Sequence, residues 1–94
     1  MKPVQLLEEL ESLSEKLGIT IRYELGDFKG GFCQVKEDTY IIIPKRLPIE
    51  KQVLILSREL ARFPLDNMYI LPAVRELIEE NRVPAESVAE NMVQ

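Results

Sequence analysis

Residues 58 to 62 of this 94-residue chain read Arg58-Glu59-Leu60-Ala61-Arg62, late in an apolar segment with helical periodicity. On a helix, residues four apart share a face. Two histidines at that spacing hold one zinc ion, and a glutamate beside the first can act as general base on metal-bound water. Arginine at both places removes that chemistry. It stays protonated and offers no lone pair to a cation. The chain contains no histidine at all. The pentapeptide therefore has the spacing of a metal site without its ligands. It also reads, more plainly, as an amphipathic helix with two arginines and a glutamate on its wet side.

Other chemistry-bearing residues say less. Cys33 lies in a strand-like run beside Phe32 and Val35, and no histidine is present to serve as its base. A buried, inert thiol is the expectation. Gly26, Gly30 and Gly31 surround Asp27, Phe28 and Lys29, but no Lys-Ser or Lys-Thr follows, and a strand comes where a phosphate loop needs a helix. This segment reads as a turn. The pairs Glu8–Glu9 and Glu79–Glu80 are adjacent on helices and point apart, so neither is an acid–base pair. No metal and no cofactor is expected.

The composition, 46% hydrophobic and 30% charged, is that of an ordinary globular domain, and residues 1–94 are read as one. A chain of this size buries only about 60–65% of its unfolded surface, so modest stability is expected. One cysteine allows no internal disulfide, which suits a reducing cytoplasm. No apolar run approaches the ~20 residues that cross a bilayer. The Glu-rich start lacks the basic and apolar blocks of a secretory signal. A net charge of −4 argues against a general nucleic-acid binder. Basic residues do concentrate in the middle: Arg22, Lys29, Lys36, Lys45, Arg46, Lys51, Arg58 and Arg62. A local anion site there remains open.

Several elements must position these residues. Val4, Leu7, Leu10, Leu13 and Leu17, widened by Leu6, predict a helix over 3–17 stopped at Gly18. Ile19, Ile21, Tyr23 and Leu25 alternate as a half-buried strand. Residues 32–36 and 39–43 predict a hairpin turning at Glu37-Asp38. The apolar run Tyr40-Ile41-Ile42-Ile43 predicts a strand covered on both sides. Ile49, Val53, Leu56, Leu60 and Phe63 predict a central helix after Pro48, ending before Pro64. Pro72 opens another helix to about Arg82, with Val74, Leu77 and Ile78 inward. Residues 84–94 read as a weak last helix or frayed tail. The class is α+β, with a small three-stranded sheet. Ile21, Val35, Ile41, Ile43, Val53, Leu56, Leu60 and Leu77 are the expected core.

The order of these elements adds to the pentapeptide. A helix, a strand, a Gly-rich turn, an Ile-rich hairpin and then Leu56-Ser57-Arg58-Glu59-Leu60-Ala61-Arg62 resembles the minimal core of zincin-like metallopeptidases, whose active-site helix reads roughly Leu-x-His-Glu-Leu-x-His. Small bacterial proteins with degenerate zincin-like folds look similar. The resemblance covers roughly residues 19–80. It implies that Arg58 and Arg62 stand at former zinc-ligand positions and Glu59 at the former general-base position. A third ligand in such enzymes is an acidic residue on a following helix, with Glu76 or Glu79 the candidate, so a later carboxylate would be the ion-pair partner of an arginine replacing the metal, Glu76 favoured over Glu79 and Asp66. Zinc peptidase activity is not expected. The resemblance implies a non-catalytic protein, a pseudoenzyme, that binds a partner protein or a small anion. The alternative is a structural domain that self-associates as a homodimer through its first helix or the Pro72–Arg82 helix. An enzyme using carboxylates alone, such as Glu59 with Glu76, ranks last.

Overall fold

The computed structural model describes residues 1–82. The element order is α1 (Pro3–Lys16), β1 (Ile19–Glu24), β2 (Gly31–Val35), β3 (Asp38–Pro44), α2 (Ile49–Leu60) and α3 (Pro72–Glu80). The α+β class read from the sequence is the class the structure has. The last helix or tail expected at 84–94 lies outside the described residues.

The leucine stripe of α1 works as its spacing predicts. Leu10 and Leu13 are buried, and Leu6, Leu7 and Leu17 pack against the core. Val4, in the first turn, stays exposed. Gly18 ends the helix with φ 77°, a left-handed conformation that costs glycine little.

The sheet is mixed, in the order β1-β3-β2. β1 runs parallel to β3, with Ile21 beside Ile41, and β2 runs antiparallel to it, with Phe32 beside Ile41. The connection from β1 to β2 must therefore pass the C-terminal end of β3. Gly30 makes this passage possible. A side chain there would meet the Ile42 carbonyl oxygen at 2.7 Å and Pro44 at 2.8 Å. Arg46 steadies the same loop through Gly26 and Asp27.

All three helices touch one another, and α1 and α2 pack on the sheet. Burial along β3 shows which face they cover. Ile41 and Ile43 are fully buried, while Tyr40 and Ile42 are only half-buried. The expectation that this strand is covered on both sides is thus corrected. Val35 shares the Tyr40/Ile42 face and is 53% exposed, so it leaves the predicted core. Ile21 and Leu77 pack at the margin of that core, and Ile41, Ile43, Val53, Leu56 and Leu60 form its centre. The hairpin turns at Lys36-Glu37, one residue earlier than predicted. Lys36 takes φ 58°, and Val35 pairs with Asp38.

α2 stops at Leu60 rather than Phe63. Pro64 disfavours helix at the residue before it, and the chain unwinds through two tight turns, Arg62 to Glu59 and Phe63 to Leu60. α3 likewise stops at Glu80, two residues short of the predicted end.

Candidate functional site

The end of α2 places Arg58, Glu59 and Arg62 together. Glu59 faces inward with Gln52, Ile55 and Leu56 and is 3% exposed. The Arg58 Nε lies 3.5 Å from one carboxylate oxygen of Glu59, and the Arg62 Nε lies 3.4 Å from the other. The guanidinium side chains are 43% and 52% exposed. The Arg58 contact is a long hydrogen bond. The Arg62 contact is an ion pair without hydrogen-bond geometry, so Glu59 Oε1 has no hydrogen-bond partner among the described residues.

This arrangement differs from a helix-borne metal site in two ways. The helix ends between the two arginines, so Arg62 stands past its last regular turn. The glutamate lies under the arginines rather than beside them in open space. A buried carboxylate is costly unless paired, and here Arg58, next to it in sequence, and Arg62, three residues on, supply the counter-charge.

The predicted cross-link from Arg58 or Arg62 to a later carboxylate is not formed among the described residues. Neither Glu76 nor Glu79 is an ion-pair partner of Arg58 or Arg62 among the described residues. Glu79 binds Arg82, at 2.9 Å from both Nε and Nη2. Arg82 in turn donates from Nη1 to the carbonyl oxygen of Ala61, 2.6 Å away. The segment after α3 is tied to the end of α2 by another contact, with Arg82 as donor and a backbone carbonyl as acceptor. Helices leave their last carbonyls unpaired, and a guanidinium satisfies one of them here. The hydrogen bond to Arg82 holds the Glu79 carboxyl below the usual glutamate range. Glu76 instead lines a cavity of about 240 Å³ with Met1, Leu6, Ala73, Leu77 and Glu80. Asp66 is exposed in the loop before α3.

Two features were not singled out from the sequence. Tyr23 on β1 donates its hydroxyl to Glu11 on α1, and burial, then this bond, push its pKa well above the ordinary tyrosine value. The periodicity places both residues but not their meeting. The second is a shallow cavity of about 490 Å³ beside the β1–β2 loop and β2, lined by Glu24, Phe28, Lys29, Phe32, Cys33 and Ile42 among others. Cys33 is a half-buried thiol there. Among the described residues no three His, Cys, Asp or Glu side chains cluster as metal ligands, and no helix is long and apolar enough to cross a membrane. Comparison with protein-family models, curated proteins and solved structures gives no match.

Proposed function

We propose that this chain is a non-catalytic, zincin-like domain that binds an acidic group, on a partner protein or as a small anion, through Arg58 and Arg62. The observation that supports this reading is the half-exposure of two guanidinium groups that share one buried carboxylate. Each lies against Glu59 through Nε, Arg58 by a long hydrogen bond and Arg62 by an ion pair, and neither guanidinium hydrogen-bonds to any other residue among the described residues. The Nη groups therefore remain for a second oxyanion, and guanidinium groups suit carboxylate and phosphate oxygens. Glu59 is then a positioning residue, not a base. The trio carries one net positive charge, in a chain whose overall charge is −4. The zincin-like part of this reading rests on the order of helix, sheet and helix. A reducing cytoplasm suits the single thiol.

The test is an NMR titration of the arginine Nε–Hε signals with inorganic phosphate and, separately, acetate. Saturable shifts confined to Arg58 and Arg62 are expected, with the Arg62 shift weakened in Arg58→Ala and the Arg58 shift weakened in Arg62→Ala. Shifts that are linear in anion concentration and alike at Arg22 and Arg46 would remove this reading.

A further inference from the structure

We infer that the open edge of β2 pairs with the β2 edge of a second copy of this chain, antiparallel about Cys33, to give a dimer with one continuous six-stranded sheet.

β2 and β1 are the two edges of the sheet. They differ in protection. β1 carries Arg22 and Glu24, paired at 3.0 Å, and charges on an edge strand discourage further pairing. β2 reads Gly31-Phe32-Cys33-Gln34-Val35, with no charge and no proline. Among the described residues it pairs on one side only, with β3.

The hairpin shows which backbone groups point outward. The two-residue turn makes Val35 and Asp38 the closing hydrogen-bonded pair. Antiparallel hydrogen bonding alternates along a strand, so Val35, Cys33 and Gly31 bond to β3, and Phe32 and Gln34 aim their N–H and C=O groups away from it. A two-fold axis at Cys33 sets Phe32 opposite Gln34 of the other copy, twice. All four outward-facing residues then pair, and Cys33 meets Cys33 at a non-hydrogen-bonded position.

Charge selects this antiparallel register. Lys29 lies four residues before Cys33, and Glu37 lies four residues after it. Both are exposed. The two-fold places Lys29 of each copy at the end where the other copy has Glu37 and Asp38. Lys45 adds to the basic end, where Arg46 is already paired with Asp27, and Lys36 beside Glu37 offsets part of the acidic end. A parallel pairing would set basic against basic and acidic against acidic. The pairing also covers Phe32, which is 42% exposed at the rim of the helix-covered face although its ring packs against Phe63 with centroids 5.9 Å apart.

Sedimentation equilibrium of the full chain, from micromolar to millimolar concentration, tests the proposal, together with diamide treatment read on a non-reducing gel. A reversible monomer–dimer equilibrium is expected. Facing non-hydrogen-bonded residues have Cα atoms about 4.5 Å apart, within disulfide range. Diamide should therefore take two electrons and two protons from the Cys33 thiols and leave a disulfide-linked dimer. Cys33→Ser should remove that band and keep the dimer in sedimentation. Lys29→Glu should weaken dimerisation about three- to tenfold, and adding Glu37→Lys should restore it. Both side chains are exposed, so the fold of the single chain is not at stake. A chain that stays monomeric at millimolar concentration overturns the proposal. So does a dimer indifferent to Lys29→Glu, or one that diamide does not link. Capture of an extended segment of another protein on a monomeric chain would also overturn it.

Discussion

Arg82 reaches back to Ala61: its Nη1 donates to the Ala61 carbonyl oxygen at 2.6 Å while Nε and Nη2 hold Glu79. One guanidinium thus fastens the chain after α3 to the residue that caps α2. Arg82→Ala should lower unfolding stability by about 1 kcal/mol, the usual net worth of such a hydrogen bond. Glu79→Ala should have the same sign and a smaller effect, because that carboxylate is exposed. The Glu79 contribution belongs above the ordinary glutamate range and fades as pH falls through its depressed folded value. Urea denaturation of both variants at neutral and acid pH checks the order and the sign.

Tyr23 and Glu11 tie β1 to α1. Burial and the Glu11 bond raise the Tyr23 pKa above the ordinary 10.0. The fold therefore holds this proton more tightly than the unfolded chain does. Its contribution is complete below the ordinary value and is lost as pH rises beyond it toward the raised one. Tyr23→Phe should be less stable at neutral pH and should lose less on going to about pH 11. A wild type and variant with parallel alkaline limbs would contradict this.

Leu56 is fully buried, and Val35 is not. Leu56→Ala should cost about 2–5 kcal/mol, enough in so small a domain to threaten folding. Val35→Ala should stay within about 0.5 kcal/mol of wild type at concentrations where the chain is monomeric. Denaturant midpoints decide both.

Removing both arginines over Glu59 leaves a buried carboxylate without a counter-charge. Arg58→Ala/Arg62→Ala should cost about 1–3 kcal/mol, moderated by the exposure of the guanidinium groups. Adding Glu59→Leu should recover part of that loss, since an apolar residue needs no partner. A triple variant less stable than the double would show that Glu59 has another role.

Zinc should not copurify in stoichiometric amount. The chain lacks histidine and has one cysteine, so a tetrahedral zinc site has no ligand set to draw on. Elemental analysis of dialysed protein checks this, and about one zinc per chain surviving mild chelation would refute it.

The periodicity of Leu10 and Leu13, of Ile19 and Ile21, and of Val53, Leu56 and Leu60 was enough to place α1, β1 and α2 and to orient their apolar faces. An apolar face is a local property, repeated every two or three to four residues, and can be read without knowing its neighbours. The nearness of Arg58, Glu59 and Arg62 was legible for the same reason. Burial of Glu59 was not, because glutamate is a surface residue by type and only the packing around α2 takes it out of water. Nor was the choice of which face of the sheet α1 and α2 cover. Tyr40-Ile41-Ile42-Ile43 is apolar throughout, and the side that receives helices is chosen by how α1, α2 and α3 pack together. The run of glycines announced a turn, yet the need for Gly30 arises from a crossing over β3 that strand order alone creates. The tie at the end of α2 shows the same division. A later segment carrying charge was visible in the sequence, but the acceptor is the Ala61 carbonyl, a group every residue has and no residue type announces. Its availability depends on where α2 unwinds, and its partner on how α3 docks, so tertiary structure alone made that choice.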